Sequence, residues 1–211
     1  MIKGVIFDLD GTLLNTNELI YKSFKYMLKE VLNIEADKNE ITLLYGKPLE
    51  VSLQKYTKSN DLIEKMIKVY REYNIYHHDS MCNVFEDIPE MLKKLKENKI
   101  KCAVVTSKKR DVAMKGLIIS DILEFMDVVI TPEDTEKHKP EAEPALKACE
   151  KLNLKPEEVI MVGDSPYDLL CGKNAGCLSC GVEYTEISLD ELKKVNPDYM
   201  IKEPLELLEI I

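Results

Sequence analysis

The sequence contains no tryptophan and only two arginines, Arg71 and Arg110, among its 29 basic residues. Bidentate arginine contacts are therefore scarce, and we expect any bound phosphate to be held mainly by lysine, backbone amides or a metal ion. The 38 acidic residues outnumber the basic ones and give a net charge of −9. Because nucleic acids and anionic membranes both need a positive protein surface, neither is expected as a partner.

Long apolar runs are also missing. No stretch approaches the length of a transmembrane helix, and Asp8 and Asp10 interrupt the first apolar segment before it could act as a signal peptide. A chain of 211 residues can bury a core without disulfides, so its six cysteines are predicted to be free thiols. The CxxC formed by Cys177 and Cys180 has no second pair of ligands nearby. These features favour a cytoplasmic protein, and they carry no sign of its oligomeric state.

The spacing of apolar residues divides the chain into two kinds of segment. A buried strand is predicted at residues 4–10, and residues 16–78 then show apolar side chains at three- and four-residue spacing, which indicates helices. From residue 83 onward, strand-like runs alternate with helical ones. These runs are residues 101–107, 127–131, 157–165, 177–182 and 198–201.

Strands that alternate with helices of about ten residues are typical of parallel βαβ units. We therefore predict an α/β fold with a doubly wound parallel sheet, formed by residues 1–14 and 82–211. Residues 15–81 are predicted to form a helical domain inserted after the first strand, and we call this segment the helical insert.

Acidic residues collect at two of the predicted strand ends. Asp8 and Asp10 close the first strand, and Asp164 closes the strand of residues 157–165, with Asp168 four residues further on. Ligands of such sheets bind beyond the carboxyl ends of the strands, where the strand order reverses. If the first strand is central, these acids meet in one crevice. Clustered carboxylates repel one another unless a cation lies between them, and oxygen ligands suit Mg²⁺.

Hydroxyl and ammonium groups follow two other strands. Thr106 and Ser107 end the strand of residues 101–107, and Lys139 lies in the loop after the next strand. A phosphoryl group in transfer needs donors around its oxygens, and these side chains could supply them.

Four motifs in this order resemble those of the haloacid dehalogenase superfamily: DLDGTLLNT, VVTS, HKP and VGDSPYD. The resemblance implies that Asp8 is the nucleophile and that Asp10 acts as general acid and then as general base. It also implies that Mg²⁺ is held by Asp8, Asp164 and the backbone oxygen of Asp10. Asp168 is expected either to contact the metal, directly or through water, or to orient the neighbouring residues.

The same resemblance implies a set of substrate contacts. Thr106 and Lys139 match the phosphate-binding hydroxyl and the charge-neutralising lysine, and Ser107 lies beside Thr106. Gly11 and Thr12 match the turn next to the two catalytic acids.

The helical insert resembles the cap of the first cap class in this superfamily, which closes over the site and excludes bulk water. Its GKP loop, residues 46–48, could present Lys47 to the substrate. The expected substrate is therefore a small phosphorylated molecule.

Stretches such as NELIYKSF and YREYNIYHHD are similar to the inorganic pyrophosphatases of the haloacid dehalogenase superfamily. Their similarity to the phosphoglycolate phosphatases is only slightly lower. We therefore expect pyrophosphate as the substrate, with phosphoglycolate or another small phosphomonoester as the alternative. A phosphosugar mutase, which would have the same fold, remains an alternative function. The alternative outside enzymes is a phospho-receiver domain, but this would need an acid at the end of the strand of residues 127–131.

Overall fold

The computed structural model describes all 211 residues. Its strands are β1 (Gly4–Phe7), β2 (Leu14–Asn15), β3 (Asn83–Val84), β4 (Lys101–Val105), β5 (Val128–Ile130), β6 (Val159–Gly163), β7 (Leu178–Val182) and β8 (Tyr199–Ile201). Its α-helices are α1 (Asn17–Leu32), α2 (Lys38–Thr42), α3 (Leu49–Leu53), α4 (Asn60–Met81), α5 (Ile88–Glu97), α6 (Arg110–Ile119), α7 (Glu143–Leu152), α8 (Pro166–Ala175) and α9 (Leu189–Lys194).

Six strands form one sheet in the order β5-β4-β1-β6-β7-β8, and every neighbouring pair is parallel. β1 is central, because Phe7 pairs with Val104 of β4 on one side and with Val162 of β6 on the other. The chain adds strands first on one side of β1 and then on the other, so the order reverses there. The predicted doubly wound parallel sheet is confirmed.

Helices cover both faces of this sheet. Val5 and Phe7 pack on one face with residues of α5 and α6, whereas Ile6 packs on the other face with residues of α7 and α8. Successive side chains of a strand point to opposite faces, so a strand buried on both faces needs an unbroken apolar run. That requirement explains why GVIF, KCAVV and VIMVG contain almost no polar residues.

The strands that carry the predicted site are shorter at their carboxyl ends than the sequence indicates. β1 ends at Phe7, although the Asp8 amide still donates to the Val162 carbonyl at 2.9 Å. β4 ends at Val105 with the Thr106 amide 3.1 Å from the Ile130 carbonyl. The backbone therefore leaves the sheet within one or two residues of each polar side chain.

The four helices α1–α4 have an apolar cluster of their own. It includes Phe24 and Met27 of α1, Ile41 of α2, Leu53 of α3 and Met66 of α4. The predicted helices of this segment correspond to α1 and α4, while the short helices α2 and α3 lie between them. The separate cluster supports the division of the chain at residues 15 and 81, which stays a prediction.

Two short strands lie where the chain enters and leaves the helical insert. Leu14 and Asn15 of β2 pair antiparallel with Val84 and Asn83 of β3. The two crossings are thus tied to each other by backbone hydrogen bonds. None of the nine helices is long and apolar enough to cross a bilayer.

All six cysteines are buried free thiols, as expected. The two cysteines of the CxxC, Cys177 and Cys180, belong to apolar clusters on opposite faces of the sheet. They therefore do not form a common ligand pair.

Two helical glycines provide a matched test of helix–sheet packing. A Cβ at Gly172 would lie 2.6 Å from the Cβ of Met161, which is fixed on β6, whereas a Cβ at Gly116 would lie 2.9 Å from Cδ1 of Leu14, the end of a flexible side chain. We expect Gly172→Ala to lower the free energy of unfolding by about 1–3 kcal/mol despite the better helix propensity of alanine. Gly116→Ala should lower the free energy of unfolding by a smaller amount. Urea unfolding of both variants checks this, and an equal or larger loss for Gly116→Ala would contradict it.

Candidate active site

Polar residues follow the carboxyl ends of the three central strands directly. Thr106 comes after β4, Asp8 after β1 and Asp164 after β6, and these strands are neighbours in the sheet. All three side chains are buried, and all three residues line one cavity of about 340 Å³. The structure therefore brings together the residues that were expected to meet beyond a central first strand.

Lys139 holds two of the predicted acids together. Its Nζ lies 2.5 Å from Oδ1 of Asp8 and 2.5 Å from Oδ1 of Asp168, and it also donates to the Val105 carbonyl at 3.3 Å. The side chain is 4 % exposed. Although burial disfavours the ammonium, Asp168 and Asp8 raise the pKa of Lys139 above its ordinary value. Lys139 is therefore a permanent positive charge inside the site.

Asp168 is fixed at the beginning of α8. Its Oδ2 accepts hydrogen bonds from the Ser165 amide at 3.1 Å and from the Ser165 hydroxyl at 2.6 Å, which forms a capping box. Its Oδ1 is left for Lys139. Gly163 allows this approach, because a Cβ there would overlap the side chain of Asp168. This contact of Ser165 was not predicted, although the Ser-x-x-Asp spacing of residues 165–168 is the sequence pattern of a capping box.

The carboxylates of Asp8, Asp164 and Asp168 form a compact acidic cluster, and one oxygen of each lies within 4.8 Å of the others. Burial raises the pKa of Asp8 to about 7, against the opposing effect of Lys139. Burial and the charges of Asp168 and Asp8 also raise the pKa of Asp164 well above its usual range. Three buried carboxylates with one ammonium are short of positive charge, and this all-oxygen donor set fits a hard divalent cation.

Asp10 has a different environment from Asp8. Its Oδ1 accepts from Nζ of Lys108 at 2.7 Å and from the hydroxyl of Thr16 at 2.6 Å. Although burial favours the neutral form, Lys108 and Thr16 hold the pKa of Asp10 below its ordinary value. The carboxylate of Asp10 is therefore outside the acidic cluster, and only its backbone oxygen remains a candidate metal ligand.

Lys108 and Thr16 are absent from the sequence-based prediction. Lys108 is the second residue after Thr106 in TSKK, and Thr16 is the last residue before α1. A second lysine directly after a phosphate-binding strand end was a usable signal, because Asp10 also needed a partner. Thr16 offered none that distinguishes it from an ordinary residue preceding a helix.

The predicted substrate contacts separate into two groups. Thr106, Ser107, Lys139 and Lys47 line the cavity, and the Ser107 hydroxyl has no hydrogen-bond partner. The other group is Gly11 and Thr12, and the structure does not bring them to the cavity wall.

Gly11 has a φ of +83°, and a Cβ there would overlap the carboxylate of Asp164. Thr12 is fully buried, and its hydroxyl is unpaired. These two residues form the turn that follows Asp10, and their role as substrate contacts stays a prediction.

The helical insert contacts the sheet next to the cavity through its GKP loop. Gly46 has a φ of +73°, and a Cβ there would overlap the side chain of Ser165, which precedes α8. Lys47 is half-buried and lines the cavity. Glycine therefore allows the loop to lie against the carboxyl end of β6, where the insert covers the site.

The phospho-receiver alternative does not fit this geometry. β5 ends at Ile130 and is followed by Thr131, whose hydroxyl bonds Asp134 at 3.1 Å. No carboxylate follows this strand directly, and the acids Asp8 and Asp164 follow β1 and β6 instead.

Comparison with known proteins agrees with the motifs. The model of the family described as haloacid dehalogenase-like hydrolase matches residues 5–182. A Clostridium perfringens protein named "Putative pyrophosphatase PpaX" is 51% identical over 211 residues, covering 100% of this chain and 98% of that protein. Pyrophosphatase PpaX of Halalkalibacterium halodurans is 39% identical over 210 residues, which cover 100% of this chain and 97% of that protein.

Solved structures show the same architecture. A structure titled as a predicted phosphatase from Clostridium acetobutylicum has a TM-score of 0.89 at 28% identity, covering 100% of this chain and 98% of that one. A haloacid dehalogenase-like hydrolase from Streptococcus pneumoniae has a TM-score of 0.88 at 27% identity, covering 99% and 98%. The family model and the full-length relatives lead to one conclusion: this chain belongs to the haloacid dehalogenase-like hydrolase family.

Proposed function

We propose that this chain is a magnesium-dependent phosphohydrolase that transfers a phosphoryl group to Asp8 and then to water, with inorganic pyrophosphate as its preferred substrate. The observation that carries this proposal is the carboxylate of Asp8, which lines a covered cavity with the ammonium of Lys139 2.5 Å away. A carboxylate nucleophile divides one difficult hydrolysis into two displacements.

Asp8 and Asp164 would hold the metal ion with their carboxylates, with Asp168 beside them and the backbone oxygen of Asp10 as a further ligand. The raised pKa values of Asp8 and Asp164 support this assignment, because they arise from burial and from neighbouring acids, and a bound cation would stabilise both carboxylates. When bound, Mg²⁺ neutralises negative charge on the acids and on the phosphoryl oxygens, and so allows an anionic nucleophile to approach an anionic substrate.

In the first step, an oxygen of Asp8 forms a bond to phosphorus while the bond from phosphorus to the leaving oxygen breaks. Lys139 keeps its positive charge beside Asp8 throughout. The hydroxyls of Thr106 and Ser107 line the same cavity and would donate to the phosphoryl oxygens. The free hydroxyl of Ser107 is available for this contact.

Asp10 would handle the proton in both steps. It donates to the leaving oxygen in the first step and accepts a proton from the attacking water in the second, as a general acid and then a general base. Its lowered pKa favours the base form before substrate binds. A negatively charged phosphate nearby raises the pKa of a carboxyl group, so substrate binding itself favours the protonated form.

The state of Asp10 also bears on the choice of substrate. A protonated Asp10 would help an alkoxide to leave, but Lys108 and Thr16 lower the pKa of Asp10 and favour its ionised form in the free protein. Orthophosphate is a much weaker base than the alkoxide of glycolate and needs less help from an acid. Together with the names of the full-length relatives, this favours pyrophosphate over phosphoglycolate.

We expect Asp8→Asn to lower the turnover of pyrophosphate by at least about 10³-fold, because the amide cannot act as the nucleophile. The fold should be retained, because the two side chains have nearly the same shape. Phosphate release measures turnover, and acid quenching traps the phosphorylated chain in the wild type only. Asp121→Asn, at an exposed residue with a φ of +53° that asparagine tolerates, is the matched control. Near-normal turnover of folded Asp8→Asn would contradict the covalent mechanism.

The proposed metal site predicts how pH and Mg²⁺ change the free energy of unfolding, and these effects can be measured without substrate. In the folded protein Asp8 binds a proton more tightly than in the unfolded chain, because its pKa is about 7 instead of 3.8. The metal-free protein should therefore become more stable as the pH falls from about 8 to about 6, since the folded state then takes up protons. Mg²⁺ at 100 times its Kd should add about 2.7 kcal/mol at pH 8.

Thermal unfolding in EDTA and in Mg²⁺ measures both effects. Asp164→Asn should reduce the magnesium stabilisation and raise the stability of the metal-free protein, because it removes one buried charge. Asp121→Asn should change neither. Equal magnesium stabilisation of wild type and Asp164→Asn would show that the acidic cluster is not the metal site.

The covered cavity predicts a limit on substrate size. Pyrophosphate should be hydrolysed with a kcat/KM at least about tenfold above that of any phosphopeptide, which corresponds to about 1.4 kcal/mol of transition-state discrimination. A screen of pyrophosphate, phosphoglycolate, hexose phosphates, nucleotides and a phosphopeptide with Mg²⁺ tests this. A kcat/KM for a phosphopeptide above that of every small phosphate would contradict a covered site. A higher kcat/KM for phosphoglycolate than for pyrophosphate would change only the proposed substrate.

A further inference from the structure

Arg71 on α4 is the only arginine that lines the cavity. Arg110, the other arginine of the chain, is paired with Asp134 instead. Arg71 also lines the adjoining cavity, which shares Thr106, Ser107 and Lys139 with the first. The side chain therefore belongs to the helical insert but borders the space around the predicted phosphate-binding residues.

The cations of the cavity wall differ in whether they have a partner. Lys139 is paired with Asp8 and Asp168, and Lys108 is paired with Asp10. Lys47 and Arg71, which the helical insert contributes, form no ion pair and no side-chain hydrogen bond in the protein, and both are half-buried. Lys109, directly before α6, is also unpaired, but it is exposed. The insert thus presents unpaired positive charge to the cavity that Asp8 also lines.

Apolar side chains line part of the same cavity. Phe24 and Leu44 are buried, and Ile20 and Leu49 are partly buried, and all four line the same cavity. A charge bordered by apolar groups is less well solvated and attracts an oppositely charged ligand more strongly than an exposed one does. An arginine also offers two parallel N–H donors that match the oxygens of a phosphate or carboxylate group.

We propose that Arg71, together with Lys47, binds the anionic leaving group of the substrate, so that the enzyme selects substrates in which the departing group carries its own negative charge. This inference rests on the proposed function, because it takes Asp8 as the point of attack. Pyrophosphate and phosphoglycolate both meet the requirement, whereas a phosphomonoester of a neutral alcohol does not. The transferring phosphoryl group is held by the sheet, and the departing group is held by the insert.

The test compares substrates that differ in the charge of the leaving group. Phosphoglycolate and 2-hydroxyethyl phosphate are matched in size, and the second has a hydroxymethyl group in place of the carboxylate. Arg71→Gln should lower kcat/KM for pyrophosphate and phosphoglycolate by at least about tenfold and change that for 2-hydroxyethyl phosphate by less than about twofold. Arg71→Lys should recover part of the loss, because it keeps the charge but not the paired donors.

Two controls separate a binding contact from a structural one. Lys68→Gln removes a positive charge from α4 three residues before Arg71, where the side chain is exposed and pairs with Glu72, and it should leave all three substrates unaffected. The melting temperature of Arg71→Gln should equal that of the wild type, because Arg71 has no partner in the protein to lose.

The outcomes distinguish this inference from the function on which it rests. An equal loss for all three substrates, or no loss for any, would overturn the inference while leaving an Asp8-dependent phosphatase. A wild type that hydrolyses the neutral ester faster than both anionic substrates would also overturn it. If no substrate is hydrolysed in an Asp8-dependent manner, the proposed function itself is wrong, and the inference falls with it.

Discussion

The buried ammonium of Lys139 is the interaction on which the site depends. It joins Asp8 after β1 to Asp168 on α8, and it does so from the loop between β5 and α7. Ion pairs of this kind are costly to bury, and loss of one partner leaves an uncompensated charge, so they add little net stability. The ion pairs of Lys139 instead position the side chains of the site. Lys139 fixes two carboxylates from distant parts of the chain within reach of one another, at a place where the backbone alone would leave them to repel.

The compact acidic cluster also depends on the absence of side chains at two glycines. Gly11 and Gly163 each lie where a Cβ would overlap an acidic side chain, Asp164 in the first case and Asp168 in the second. The charge balance follows from this close packing. Burial raises the pKa values of Asp8 and Asp164, and the neighbouring acids add to this rise because Lys139 offsets only part of their negative charge. The fold therefore builds a site with a deficit of positive charge, which a divalent cation can fill.

The sequence predicts the sheet and most of the reacting groups because both are determined locally. An apolar run followed by an acid or a threonine marks a strand end, and the parallel arrangement then brings such ends to one edge. Helix α5 and the strands β2 and β3 were not predicted individually. β2 and β3 are two residues long and form through pairing between residues 14–15 and 83–84, which no local pattern reveals.

The residues that were not predicted differ in how far they lie from their partners in the sequence. Lys108 reaches Asp10 from 98 residues away, and Ser165 contacts the loop at Gly46, so these two contacts depend on tertiary packing. Thr16 and Ser165 are close in sequence to Asp10 and Asp168, but that spacing alone does not mark them as part of the site. The resemblance assigned Gly11 and Thr12 as substrate contacts. Neither residue is among those that line the cavity, and their contact with substrate stays a prediction.

The proposed reaction and the proposed selectivity depend on two different parts of the chain. The sheet supplies the paired groups, Asp8 with Lys139 and Asp10 with Lys108, whose partners hold them in place before any substrate arrives. The helical insert supplies Lys47 and Arg71, which lack such partners. A paired charge is preorganised but weakly attractive to a ligand, because its field is already offset. An unpaired charge attracts the ligand, so the sheet is suited to the chemistry and the insert to choosing what enters.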